Sequence, residues 1–320
     1  MKKKIIIISG DPNSVNSEII FKTWKKLNKS IRKKIYLISN FRLLEKQFKK
    51  LKYKVNIMKV KKIYDEADNP KLKVVDINLK FKDPFNVNKK DSAIFIKRSL
   101  NLAHNYGLLK EVKGIINCAI NKNLLQKEKW GVTEFFASKC KINNDSEVML
   151  IKTKKFSVSP ITTHIDIKEV SKKISKNKII NKVITINKWF QKELKKKPKI
   201  GILGLNPHNA EYRKKSEEIK KIIPAIMKLK KRGINIEGPL VSDTVFMYDF
   251  KKYDVLVGMF HDQVLTPLKA IYKFDAINVT LGLKYLRASP DHGTAKNLIC
   301  KNKASPKSLI ECINFIDKSK

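Results

Sequence analysis

Short apolar runs alternate along the chain with longer stretches in which apolar positions recur at three- and four-residue spacing among lysines. The first run, residues 5–8, is four consecutive isoleucines, the pattern of a strand buried on both faces. Residues 17–27 follow as a helix, with Ile19, Ile20, Trp24 and Leu27 on one face. The same reading predicts strands at 34–38, 55–60, 114–118, 148–152, 156–161, 199–203 and 255–259, and helices at 92–108, 167–182, 214–231 and 305–316. Strands that alternate with helices from end to end indicate an α/β fold with a largely parallel sheet. Residues 64–88 are polar, carry Pro70 and Pro84 and show no clean period, so they are read as irregular surface structure. Residues 122–144 change texture again, and there a first domain would pass into a second.

Composition sharpens this picture. With 320 residues, 42% of them hydrophobic, the chain can bury one large core or two smaller ones, and two domains are expected. The opening MKKKIIII meets Ser9, Gly10, Asp11 and Pro12 after four isoleucines, too soon for a secretory signal. No later run approaches the roughly 18 apolar residues of a membrane helix, so a cytoplasmic protein with no membrane partner is expected. Cys118, Cys140, Cys300 and Cys312 are scattered without a CxxC pair, which predicts four free thiols in a reducing compartment. The formal net charge of +41 invites a polyanion. Its carriers are mostly lysines spread over the whole chain, with no arginine-rich or aromatic-interleaved stripe, so they are read as solvated surface and no specific nucleic acid is expected.

Candidate chemistry centres on three of the five histidines. His164, His208 and His261 each come shortly after a predicted strand, and in open parallel sheets ligands bind outside the carboxyl ends of the strands. Taken singly, each reads first as a capping or core histidine; their common placement overturns that and favours a catalytic site in which three neutral imidazoles hold a divalent ion. Asp243 and Asp262 are placed either to orient such histidines or to cap the helices they precede. Beyond His261 come Lys269, Asn278 and Arg287, the last suited to clamp a phosphate or carboxylate in bidentate fashion.

A family resemblance gathers these residues. Ser9-Gly10-Asp11-Pro12, Ile120-Asn121-Lys122, Thr133-Glu134-Phe135-Phe136, Thr162-Thr163-His164-Ile165 and Gly204-Leu205-Asn206-Pro207-His208 stand in order along the chain. Gly238-Pro239-Leu240, Ser242-Asp243-Thr244, His261-Asp262-Gln263, Asn278 to Leu283 with Arg287, and Asp291-His292-Gly293-Thr294-Ala295 come after them. Together they resemble the 4-hydroxythreonine-4-phosphate dehydrogenases, the PdxA family of pyridoxal phosphate biosynthesis. The resemblance implies two α/β domains flanking a cleft, similar to isocitrate and isopropylmalate dehydrogenases, and a homodimer with a shared active site. On that plan the first domain takes residues 1–128 with 291–320, and the second takes 129–290 with the histidines. It further implies that His164, His208 and His261 hold one divalent ion (zinc, magnesium, manganese or cobalt) and that Thr133, Lys269, Asn278 and Arg287 contact a small phosphorylated substrate. NAD or NADP would bind without a Rossmann glycine fingerprint, at residues the sequence does not assign.

The implied reaction is oxidation of the secondary alcohol of 4-phosphooxy-L-threonine followed by decarboxylation to 3-amino-2-oxopropyl phosphate. The general base stays open between a lysine of depressed pKa and a metal-bound hydroxide. Alternatives are a paralogue acting on a threonate- or erythronate-type phosphate, and a non-catalytic polyanion-binding protein on the same scaffold. Two departures from the family stand out. Gly131-Val132-Thr133-Glu134 replaces Gly-His-Thr-Glu, which removes a substrate-facing imidazole, and the first loop, Gly10 to Glu18, carries Ser14 and Asn16 where glycines are usual, which puts its geometry in question. His292 is read as shaping the cleft floor rather than binding metal.

Overall fold

The isoleucine run becomes β1 (Lys4–Ile8), whose four isoleucines are between 0% and 4% exposed. The computed structural model describes residues 3–66, 68–125, 131–142, 146–273 and 275–319. After β1 come α1 (Asn16–Lys26), α2 (Lys29–Arg32), β2 (Ile35–Ser39), α3 (Phe41–Lys50), β3 (Ile57–Val60), β4 (Leu72–Asp76), α4 (Lys89–Gly107), β5 (Val112–Asn117) and α5 (Val132–Lys139). Asn28, Asn40 and Asn88 cap α2, α3 and α4, each accepting a hydrogen bond from the backbone N–H three residues on. The chain continues through β6 (Val148–Lys152), β7 (Ser157–Pro160), α6 (Ile167–Lys173), α7 (Lys176–Leu194), β8 (Ile200–Leu203), α8 (Ile223–Lys231), β9 (Ile236–Leu240), α9 (Ser242–Val245), β10 (Val255–Gly258), α10 (His261–Tyr272) and β11 (Ile277–Leu281). It closes with β12 (Arg287–Pro290) and α11 (Lys307–Lys318).

Two units result, one of Met1–Cys140 with Lys284–Ser319 and the other of Lys141–Leu283. In the first, the strand order is β3-β4-β2-β1-β5-β12 and every pairing is parallel. In the second, the order is β11-β6-β7-β10-β8-β9; β6 runs antiparallel to both its neighbours, and β7, β10, β8 and β9 are parallel. The expected border at 128/129 lies outside the described residues. The expected return at 290/291 moves to 283/284, because β12 pairs with β5 through Arg287 and Ile115 and so belongs to the first sheet. Helix α5, assigned by sequence to the second domain, also joins the first unit: its Phe136 packs edge-on against Tyr285, ring centroids 6.1 Å apart.

Several elements depart from the sequence-based expectation for identifiable reasons. The predicted helix 167–182 is two helices, because Ile174 is extended and Ser175 starts α7 by accepting from the Lys178 N–H. The predicted helix 214–231 opens with a π-helical turn, Glu218–Ile222, before α8, where the ring of Pro224 takes the place of an amide donor. Within the stretch read as irregular lies β4, a fully paired strand. Its apolar run is interrupted by Lys73, which is itself 0% exposed. The Lys73 ammonium donates to the Lys33 and Asn69 carbonyls at 2.8 and 3.2 Å and sits 4.6 Å from the centre of the Tyr36 ring.

Burial, reinforced by Lys4, brings the Lys73 ammonium down to about 8. With the folded value below the unfolded one of about 10.4, the cost of the buried charge is fully present below the folded value and is relieved as pH rises between the two. Lys73→Met is therefore expected to be more stable at neutral pH by about 1–3 kcal/mol, an advantage that narrows toward pH of about 10. Denaturant unfolding at neutral and alkaline pH checks this; an advantage independent of pH contradicts it.

All four cysteines are free, with Cys118, Cys140 and Cys312 buried and Cys300 exposed. Among the described residues no helix is long and apolar enough to cross a membrane.

Candidate active site

Parallel pairing in the second unit sets β7, β10 and β8 side by side, with Pro160 opposite Gly258 and Val257 opposite Ile202, so their carboxyl ends share one edge. His164, His261 and His208 come after those ends in turn. The segments leaving β7 and β10 are tied together: Ile161 N–H donates to Gly258 O at 2.8 Å, and the Thr162 backbone and hydroxyl both donate to Met259 O, at 3.1 and 2.7 Å. As a result the His164 and His261 rings lie 5.7 Å apart between centroids, tilted by 40°. Asp262 Oδ1 stands 2.6 Å from His261 Nδ1, a contact that places the proton on Nδ1 and leaves the Nε2 lone pair open to a ligand.

The pair fits an ion. A metal bound to one nitrogen of each ring at about 2.1 Å and at a tetrahedral angle places the two ring centroids roughly 5 Å apart, close to the spacing found. His208 is not gathered in with them: among the described residues no group of three His, Cys, Asp or Glu side chains is close enough to hold a metal. It stands exposed on a turn, Pro207–Tyr212, in which residues 208–212 all have left-handed backbone angles, φ between 47° and 56°. A run of non-glycine residues in that region is costly, roughly 1–2 kcal/mol each, so its surroundings must hold it.

Glu218, which is fully buried, fixes the segment that leads into that turn. Its Oε1 accepts from the Leu205 and Asn206 N–H groups at 2.8 and 2.9 Å, while the Asn206 amide donates to Glu217 and Glu218 at 2.9 and 3.0 Å. Burial pushes the Glu218 carboxyl up, but the Asn206 and Leu205 donors outweigh it and hold the group below its ordinary value. Asn209 adds a bond from its amide to Pro239 O at 3.0 Å. Sequence reasoning missed Glu218, whose carboxylate reads as one more charge on an amphipathic helix.

Of the remaining candidates in this unit, Asp243 is exposed in the first turn of α9, and Lys269 is exposed near the end of α10. Asn278 lies on β11 opposite Ile151, and its Oδ1 is buried without a hydrogen-bond partner, as a group kept for a ligand would be.

The first unit brings Arg287 and Thr133 together. Arg287 starts β12 and is 2% exposed. Its Nε and Nη2 both donate to Asn117 Oδ1, Nη1 donates to Thr133 Oγ1 at 3.1 Å, and the guanidinium lies 5.8 Å from the centre of the Phe136 ring. Burial lowers the guanidinium to about 10, so it remains a cation at neutral pH. Asn117 was missed, although it is the polar residue at the carboxyl end of an apolar strand, the same signal that marked the histidines. Val132 opens α5 next to Thr133.

The first loop needs left-handed backbone only at Gly10, not at the positions of the missing glycines. Only Gly10 there has a positive φ, 78°, and a side chain on it would meet Ala119 O and the Asn16 amide, each at 2.5 Å. Ser14 and Asn16 adopt ordinary backbone angles and staple the loop instead, Ser14 Oγ donating to Asp11 O and Asn16 Nδ2 to Ala119 O at 2.8 Å. The loop meets the 291–295 segment where Val15 N–H donates to Thr294 O at 3.1 Å. His292 lies in this unit, with Nδ1 2.9 Å from Gly293 O, and burial lowers its pKa.

Known proteins share this arrangement of sequence and fold. The sequence model of the family described as "Pyridoxal phosphate biosynthetic protein PdxA" matches residues 31–316. A protein of Sulfurihydrogenibium sp. (strain YO3AOP1) named 4-hydroxythreonine-4-phosphate dehydrogenase is 36% identical over 98% of this chain and 97% of its own. One of the same name from Aquifex aeolicus is 34% identical, with 99% and 98% covered. The crystal structure of 4-hydroxythreonine-4-phosphate dehydrogenase from Klebsiella pneumoniae superimposes with a TM-score of 0.85 at 26% identity, covering 99% of each chain.

Proposed function

The chain belongs to the PdxA family, and from that premise we propose that it oxidises 4-phosphooxy-L-threonine with NAD or NADP and releases carbon dioxide, leaving 3-amino-2-oxopropyl phosphate for pyridoxal 5'-phosphate formation. The observation that supports this best is the His164–His261 pair at the shared carboxyl edge of β7 and β10, with Asp262 orienting His261. His164 and His261, with His208 as third candidate, would hold one divalent ion (zinc, magnesium, manganese or cobalt). When bound, that ion supplies Lewis acidity toward the substrate alcohol and the charge left by decarboxylation, and the nicotinamide supplies the hydride acceptor.

The chain's own residues do the rest. Arg287 stays cationic at neutral pH and presents a guanidinium already oriented by Asn117 and Thr133, so it binds an anionic group of the substrate at little cost in side-chain ordering. Lys269 adds a second cation for substrate anions, and Asn278 offers its unpartnered carbonyl to a donor on the substrate. Asp262 keeps the His261 imidazole in one tautomer. The proposal includes a cytoplasmic homodimer with a shared active site. The test is NADH or NADPH formation by purified protein given 4-phosphooxy-threonine, after chelation and with each divalent ion restored singly. Turnover that needs the ion supports the reading; turnover unaffected by chelation, or none with any ion, overturns it.

Val132 supports a second reading, a paralogue for a threonate- or erythronate-type phosphate. Valine neither donates nor accepts, so a polar substrate group facing it loses a bond worth about 0.5–1.5 kcal/mol. If 4-phosphooxy-threonine is the substrate, Val132→His is expected to change kcat/KM on it by no more than about tenfold. A wild type nearly inactive on 4-phosphooxy-threonine and active on 4-phosphothreonate decides for the second reading.

A further inference from the structure

Gln263 occupies the third position of α10, two residues past His261, and the proposed chemistry makes no use of it. Helix α10 has no side-chain cap from Phe260. Instead Gln263 reaches back past the N-cap, and its Oε1 accepts from the Met259 N–H at 2.6 Å. The other end of the amide leaves the helix altogether: Nε2 donates to Gly204 O at 2.6 Å and to Ser242 Oγ at 2.8 Å.

Those three partners belong to three strand-end segments. Met259 lies between β10 and His261; Gly204 lies just past β8, on the way to His208; Ser242 opens α9, one residue before Asp243. Backbone pairing between β10 and β8 is last seen at Val257 and Ile202, and β8 and β9 part after Leu203 and Leu240, with one more bond from Gly204 N–H to Leu240 O. Past that point the Gln263 amide carries hydrogen bonding across all three segments. Space is kept for it: a side chain on Gly258 would come within 2.8 Å of Gln263 Oε1.

We propose that Gln263 is a positioning residue that clamps the segments carrying His261, His208 and Asp243 to one another through its single side-chain amide. The role needs an amide. Two donors and one acceptor are used at once; an ionised carboxylate of the same length has no donor, and an aliphatic chain of the same length has neither. The inference rests on the proposed reading of His261 as a metal ligand with His208 as third candidate, because only then does the placement of these segments bear on ion affinity.

Two variants and two readouts test it. In the metal-free protein, Gln263→Met is expected to speed amide hydrogen exchange together at residues 204–209, 241–245 and 259–263, with the core of β8 and β10 unchanged. Gln263→Glu keeps the acceptor for Met259 and loses both donors, so exchange is expected to rise at 204–209 and 241–245 while 259–263 stays protected. Zinc affinity, read by competition with a chromophoric chelator, is expected to fall by about 10–100-fold in both variants, the usual cost of removing support behind a metal ligand. Exchange that rises only at 259–263 in Gln263→Met, or zinc affinity unchanged in both variants, overturns the proposal and leaves Gln263 as a helix cap. A wild type that takes up no zinc, magnesium, manganese or cobalt sinks the histidine reading instead; the exchange pattern then decides the clamp by itself.

Discussion

His261→Ala is expected to lower kcat on 4-phosphooxy-threonine by at least about a thousandfold and to abolish stoichiometric binding of a divalent ion. The size reflects what the ion contributes: several kcal/mol of stabilisation for charge that develops on the substrate oxygen, where each 1.36 kcal/mol is about a factor of ten. Stability is expected to change little, because His261 is the first residue of α10 and its side chain is partly exposed, with Asp262 as its neighbour. Asp262→Asn keeps the ligand and weakens its orientation, so a loss of about 10–100-fold is expected there. Ion content by elemental analysis, a thermal melt and steady-state kinetics on the two variants separate the effects. Full turnover by His261→Ala, with or without added ion, would remove the histidines from the reaction.

The placement of these histidines was legible in the sequence because strand ends are: apolar runs fix where β7, β8 and β10 stop, and parallel pairing brings the segments that leave them to one edge. The contacts across that edge were not legible. That His164 and His261 meet depends on Thr162 bonding twice to Met259 O, a contact between residues 97 apart in the chain. The left-handed turn at 208–212 has no sequence signature, since none of its residues is glycine, the segment leading into it is fixed by Glu218, and Asn209 bonds out to Pro239 O. Strand β4 was hidden for a related reason: Lys73 breaks its apolar pattern, yet is satisfied by two carbonyls and an aromatic face in the interior. Polar residues that complete a buried network look, one by one, like surface.

Arg287 poses the sharpest separation of stability from activity. A guanidinium 2% exposed is costly to bury, and Asn117 and Thr133 meet it with neutral oxygens. Replacing it by a flexible apolar side chain, Arg287→Met, removes that cost and leaves Asn117 and Thr133 short of a partner, two effects of opposite sign and each of order 1–3 kcal/mol. The variant is therefore expected to unfold within about 2 kcal/mol of the wild type in urea. Its kcat/KM on 4-phosphooxy-threonine is expected to fall by about 10²–10⁴, the equivalent of two charge-assisted hydrogen bonds to a substrate anion at roughly 1.5–3 kcal/mol each. Arg287→Lys keeps a charge but has no planar fork to bond Asn117 and Thr133 in the observed way, so it is expected to lose both stability and activity. A stable and fully active Arg287→Met would show that the arginine only fills the interior of its unit. An Arg287→Met that fails to fold, beside an Arg287→Lys that folds and turns over normally, would assign it to the architecture of β12 and β5 and release it from the substrate.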